Sequence, residues 1–168
     1  MSITPNHTHA RSFLFVCLGN ICRSPMAQGT FEHLAAHRGL REQLTIASAG
    51  TGHWHIGHDP DPRTLEVCRD QGIPLTSKGC QLAAADFERF DLLLAMDRRN
   101  LADILRLGCP PARAALFMSF ATDAALRDAC NLEVPDPYHD GPAEFQHVFT
   151  LVRAAAEGLL DAVFPTPH

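Results

Sequence analysis

The chain has 168 residues, 46% hydrophobic and 20% charged, the make-up of one ordinary domain with a single core. Its formal charge of −5 argues against general nucleic-acid affinity, so attraction for an anionic ligand has to be generated locally. The first ten residues are polar, carry Pro5, His7 and His9 and have no apolar signal-peptide core, and no segment is long enough to span a membrane; a flexible tail over residues 1–10, a domain over residues 11–168 and a cytoplasmic location are expected.

Residues 12–16, Ser-Phe-Leu-Phe-Val, form a β-prone apolar run with the length of a buried strand. Cys17 falls at its carboxyl end. Leu18, Gly19, Asn20, Ile21 and Cys22 separate Cys17 from Arg23, and Ser24-Pro25 reads as an N-cap and first helical residue before the apolar positions Ala27, Phe31, Leu34 and Ala35. A strand, tight loop and helix in this order turn backbone N–H groups inward at the positive end of a helix dipole, which makes an anion nest. Gly19-Asn20 supplies the bend, because both residue types tolerate positive φ. Arg23 adds a planar fork for two phosphate oxygens. These positive surroundings favour a thiolate at Cys17, a nucleophile beneath a bound phosphorus. Reading Cys17 and Cys22 as half of a zinc site would require a second such pair, which the sequence lacks.

Further along, residues 44–47, 91–95 and 114–118 are strand candidates, and helices are expected to begin near Asp61, Asp97 and Pro142. The last helix has the clearest stripe, Phe145, Val148, Phe149, Val152, Ala156 and Leu159, which reads as core. The alternation predicts an α/β fold: a single-domain three-layer sandwich, a four-stranded parallel sheet with helices on both faces, and a phosphate-binding loop after the first strand. Cys68, Cys80, Cys109 and Cys130 have no regular spacing and are expected to be core thiols. His53, His55 and His58 flank Trp54, but Gly52 and Gly57 leave their loop without fixed spacing to aim the rings. They read as solvated histidines, and no metal or other cofactor is expected.

The run Cys17-Leu-Gly-Asn-Ile-Cys-Arg23-Ser24 resembles the signature of the low-molecular-weight protein tyrosine phosphatases. The resemblance continues through Ile46-Ala-Ser-Ala-Gly-Thr51, the Trp54 loop, Asp59-Pro-Asp-Pro-Arg63, Gly72-Ile-Pro74, Met96-Asp97 and Val134-Pro-Asp-Pro-Tyr138, nearly all of the chain after residue 11. It implies hydrolysis of protein phosphotyrosine through a phosphocysteine. Cys17 would be the nucleophile, Arg23 the phosphate clamp and Asp136 the general acid and base, with Ser24 donating to the departing sulfur. On local sequence alone Asp136-Pro137 is an ordinary turn. Trp54 and Tyr138 are placed beside the cleft, with His139 where many members carry a second tyrosine. Cys22, next to Cys17 in the loop, is expected to trap an oxidised Cys17 as a disulfide.

A second departure from the family lies at Thr76-Ser-Lys-Gly-Cys-Gln81, which lacks a histidine that elsewhere helps to hold the loop asparagine. Support for Asn20 is therefore expected from Ser48, Ser77 or water. The implied partners are a tyrosine-phosphorylated protein and phosphate or another oxyanion, and the chain is expected to act as a monomer. Competing readings are arsenate reduction, disfavoured because Cys80 has no partner about seven residues on; protein-arginine phosphatase, disfavoured by Ile21 where threonine is typical; and a phosphate-binding module without turnover, which has no use for Asp136.

Overall fold

The first strand, β1 (Ser12–Cys17), buries its apolar side chains on both sides. Phe13, Phe15 and Cys17 join one core and Leu14 and Val16 the other, as the two-residue period of a strand demands. In this computed structural model, which describes residues 7–167, β1 is followed by α1 (Arg23–His37), β2 (Thr45–Gly50), α2 (Pro62–Asp70), α3 (Asp86–Arg89), β3 (Leu92–Ala95), α4 (Arg98–Arg106), β4 (Ala114–Leu116), α5 (Ala124–Ala129) and α6 (Pro142–Val163). The strands form one parallel sheet in the order β2-β1-β3-β4.

Helices cover both faces. On one, Phe13 and Phe15 meet Phe31 of α1 and Phe117 in edge-on contacts with ring centroids 5.1–5.6 Å apart, and Val148, Val152 and Leu159 of α6 complete the core. On the other, Leu14, Val16, Leu93 and Ala95 pack with Phe87, Phe90 and Ile104 of α4. The α6 stripe is buried as expected, and Leu151, Ala155, Leu160 and Val163 are buried beside it. At Gly158 the helix backbone passes so close to the turn Phe117–Phe120 that an added Cβ would lie 1.8 Å from the Phe120 carbonyl oxygen.

Several boundaries differ from the sequence expectation. β2 continues to Gly50, because it stays paired with β1 up to Cys17 and then bridges Gln81. β4 stops at Leu116, and Phe117 and Met118 enter a 3-10 helix over Phe117–Phe120 in which both remain fully buried; an apolar run satisfies burial in either conformation. Helix α1 starts at Arg23 with Cys22 as N-cap residue and no side-chain cap. Ser24 is thus inside the helix, its hydroxyl drawn away to Cys17, and Pro25 sits in the first turn, where a missing N–H costs nothing. Asp61 caps α2 through the Arg63 N–H, and Asp97 forms a capping box with Asn100 at the start of α4.

Of the tail expected over residues 1–10, residues 1–6 lie outside the described residues. Residues 7–10 are held against the body: Ala10 is buried and donates its N–H to the His7 carbonyl, and the His7 ring packs on Phe120. Burial lowers the pKa of His7. Among the described residues no helix is long and apolar enough to cross a membrane.

Candidate active site

Cys17 ends β1 at the carboxyl edge of the sheet, and the chain loops over it before entering α1. The carbonyls of Cys17, Leu18, Ile21 and Cys22 accept hydrogen bonds from the N–H groups of Thr51, Gly52, Asp61 and Met26. In a trans peptide the C=O and N–H are antiparallel, so the N–H groups of Leu18, Gly19, Cys22 and Arg23 face the opposite way, towards the loop's interior. Asn20 alone in the loop has positive φ (55°); Gly19 does not share in the left-handed bend, and it lies instead against the His55 ring. The Asn20 N–H donates to Cys17 Sγ at 3.2 Å, and Ser24 Oγ lies 2.9 Å from the same sulfur.

Arg23 is 3% exposed. Its Nη1 is spent on structure, donating to Asp97 Oδ2 at 2.7 Å and to the Val134 carbonyl at 2.9 Å. The other edge of the guanidinium, Nε and Nη2, has no hydrogen-bond partner among the described residues and Nη2 lies 3.8 Å from Asp136 Oδ2. That edge is the one able to grip two oxygens of an oxyanion. Burial opposes the Arg23 charge, but the Cys17 sulfur, Asp97 and Asp136 outweigh it and raise the pKa above its ordinary value. Asp97 was marked in the sequence only as a helix start and a point of resemblance. One of its oxygens caps α4 while the other fixes Arg23.

Asn20 Nδ2 donates to Ser24 Oγ at 2.7 Å and to Ser48 Oγ at 3.0 Å, and its Oδ1 accepts the Cys80 backbone N–H at 2.9 Å. Ser48 in turn donates to Gln28. Of the expected supports Ser48 is present, while Ser77 makes no hydrogen bond with Asn20. The donor to Asn20 Oδ1 is a main-chain N–H, which any residue type can supply. The segment carrying it runs beside β2: Gly50 donates to the Cys80 carbonyl and Leu82 to the Gly50 carbonyl. Cys80 is exposed, against the expectation of a core thiol, Cys130 is half-buried at the edge of the core, and Cys68 and Cys109 are buried.

Trp54, His55, Asp136, Tyr138 and His139 line a cleft with Cys17, Leu18, Gly19, Ile21, Cys22 and Arg23. Trp54 is 59% and Tyr138 41% exposed, so both present ring surface at the entrance. The Trp54 ring lies directly over Gly52, where a Cβ would meet it at 1.9 Å. His55 is a wall residue, which corrects its reading as a loop histidine merely solvated; its Nδ1 is 3.3 Å from His58 Nδ1. Among the described residues no three His, Cys, Asp or Glu side chains are grouped to hold a metal ion. Ile21 and Cys22 back the cleft against Phe145. Burial, reinforced by Asp61, pushes the Cys22 thiol up to about 12.

Arg63, noted in the sequence only as the end of the Asp59–Arg63 run, joins two segments of the cleft. Its guanidinium binds both oxygens of Asp61 and donates to the carbonyls of Tyr138 and Asp140, with its plane over the Phe145 ring. The Asp61 N–H donates to the Ile21 carbonyl. Arg63 therefore straps the Asp136 segment to the Cys17 loop, and its hydrogen bonds hold the Asp61 pKa below the ordinary carboxylate value.

A deep thiol under a nest of amides, a guanidinium edge and a carboxylate at one aromatic-walled cleft is equipment for transfer of a phosphoryl group. The family model for low molecular weight phosphotyrosine protein phosphatase matches residues 12–165. The chain is 38% identical over 149 residues to low molecular weight protein-tyrosine phosphatase A of Mycobacterium tuberculosis, covering 89% of each. It is 44% identical over 135 residues to the low molecular weight phosphotyrosine protein phosphatase of Schizosaccharomyces pombe, 79% of this chain and 83% of that protein. Superposed on the crystal structure of YfkJ from Bacillus subtilis it gives a TM-score of 0.82 at 36% identity, over 91% of this chain and 94% of the other. With the match running from the first strand to the end of the last helix, the chain belongs to the low molecular weight phosphotyrosine protein phosphatase family.

Proposed function

We propose that the chain hydrolyses phosphotyrosine in proteins through a phosphocysteine on Cys17. The observation that carries this is the convergence on one cleft of the Cys17 sulfur, the uncommitted edge of Arg23 and, 3.8 Å from it, Asp136. Cys17 attacks phosphorus as the bond to the phenolic oxygen breaks, and Asp136 delivers its proton to that oxygen. Arg23 and the loop amides hold the equatorial oxygens. In the second step the Asp136 carboxylate takes a proton from water, whose oxygen displaces the sulfur, releasing phosphate. The Ser24 hydroxyl, 2.9 Å from Sγ, donates to the departing thiolate. The rings of Trp54 and Tyr138 flank a phenyl group whose reach brings phosphorus down to Cys17, a depth the shorter phosphoserine does not have.

The test is turnover of p-nitrophenyl phosphate and of phosphotyrosine, phosphoserine and phosphoarginine peptides. Cys17→Ser should lose all turnover yet still bind vanadate or phosphate. Asp136→Ala should lose roughly 10²–10⁴-fold, more as the leaving group becomes more basic. Since the first step needs an ionised thiol and a protonated carboxyl, kcat/KM should be bell-shaped in pH. A flat profile from about pH 5 to 8, or full activity in Cys17→Ser, overturns the reading.

The same proposal extends to oxidation. A sulfenic acid on Cys17 condenses with the Cys22 thiol, giving the disulfide and water and sparing Cys17 from irreversible oxidation. After peroxide and then dithiothreitol, wild type should recover more activity than Cys22→Ser, and equal recovery removes the role. A working thiol of this kind requires reducing surroundings, which favours the cytoplasm.

A further inference from the structure

Beyond Trp54, on the side facing α4, a second groove adjoins the catalytic cleft. It is lined by Leu18, Thr51, Gly52, Trp54, Arg99, Asp103, Arg106 and Leu107, and shares Leu18 and Trp54 with the first cleft. The two depressions are therefore opposite sides of one wall. A chain whose phosphotyrosine enters the cleft has to leave its mouth on some side, and each residue carries it about 3.5 Å. One or two flanking residues suffice to cross an indole ring.

The charge of this groove is set by three side chains. Asp103 is already paired with Arg106 Nη1 at 2.6 Å. Arg99 is exposed and has neither an ion pair nor a hydrogen bond among the described residues, so the groove carries one net positive charge. On a protein of formal charge −5 that excess is local, and it sits beside apolar surface, since Trp54 and Leu107 are 59% and 49% exposed. Arg99 also stands on a rigid support. It lies in the first turn of α4, whose start is locked by the Asp97–Asn100 capping box and, through Asp97, by Arg23 itself. The position of Arg99 relative to the phosphate grip is thereby fixed by a short chain of hydrogen bonds.

We propose that this groove is a flanking subsite that selects phosphotyrosine sequences with an acidic residue within two positions of the phosphotyrosine. The carboxylate pairs with Arg99 while the backbone beside it passes over Trp54 and Leu107. The assignment rests on the phosphotyrosine reading above, and the two are separable by experiment. Arg99 makes no hydrogen bond or ion pair with the phosphate loop or Asp136 among the described residues, so it changes the choice of peptide and leaves small substrates alone.

The experiment measures kcat/KM on one phosphotyrosine peptide carrying Asp, Ala or Lys at the first and second positions on either side, with p-nitrophenyl phosphate as a substrate that has no flank. Wild type should prefer Asp over Lys by roughly five-fold or more at one of the flanks, and the preference should shrink as salt rises. Arg99→Gln should abolish it and Arg99→Glu should invert it, both with p-nitrophenyl phosphate turnover within about two-fold of wild type. Dissociation constants of the same peptides on Cys17→Ser give the ranking independently of turnover. Identical rankings in wild type and Arg99→Glu overturn the subsite while leaving the phosphatase reading intact. Absence of peptide turnover by wild type, with the binding preference retained, overturns the phosphatase reading and leaves the subsite.

Discussion

Asn20 combines three jobs in one side chain. It adopts a left-handed conformation (φ 55°), its amide nitrogen feeds Ser24 and Ser48, and its carbonyl oxygen accepts from Cys80. Asparagine is among the few non-glycine residues that enter that region readily. Asn20→Ala loses the bonds and adds about 1–2 kcal/mol of backbone cost, whereas Asn20→Gly loses the bonds alone. Both should lower kcat on p-nitrophenyl phosphate by about ten-fold, with the alanine variant further reduced in thermal stability. Should Asn20→Gly keep wild-type kcat, the side-chain network is not what shapes the loop. The loop residues were legible in the sequence because they are contiguous. The Cys80 N–H was not, since a main-chain donor leaves no signature in residue type.

At the scale of elements, the cleft is assembled by connections that hold segments other than regular structure. The run from Gly79 to Leu82 pairs with Gly50, and Gly79 exchanges hydrogen bonds with Gly57 and His58, propping the Trp54 loop. Arg63 at the start of α2 does the same for the Asp136 segment. Lysine cannot reproduce a planar fork engaged on a carboxylate and two carbonyls. Arg63→Lys should therefore reduce turnover of phosphotyrosine peptides by roughly ten-fold, and of p-nitrophenyl phosphate, whose leaving group needs little protonation, by less. An equal loss on both substrates would show a general disturbance and no positioning of the acid. The strap also has an acid limit. Asp61 titrates below its unfolded value, so its stabilisation is complete above about pH 4 and is lost as pH falls through the folded value. The acid limb of a thermal-denaturation series should be flatter in Asp61→Asn. Helix starts at Asp61 and Asp97 were readable from capping residues; that Asp97 also fixes Arg23 depends on the proximity of segments 74 residues apart.

For the whole molecule, a tight joint lies between α6 and the turn Phe117–Phe120. Gly158→Ala puts a methyl group 1.8 Å from the Phe120 carbonyl oxygen, and the backbone on both sides leaves no flexible side chain to yield. The variant should lose about 1–3 kcal/mol, read as a lower denaturation midpoint with unchanged KM; an unchanged midpoint would mean that α6 can slide freely on the sheet. The order of strand-like and helix-like segments is enough to predict a parallel four-stranded sheet covered on both faces, because parallel strands require crossovers and fully apolar strands require two covers. The sequence by itself determined the fold class and the family, and it put Cys17 and Arg23 at the two ends of one short loop, all of which follow from short-range spacing and from burial. Only the tertiary structure decided which edge of Arg23 is free, what holds Asn20 and Asp136 in place, and that Arg99 stands across Trp54 from the cleft. Those depend on contacts between segments far apart in the chain, and the energy of such contacts is written in distance rather than in residue order.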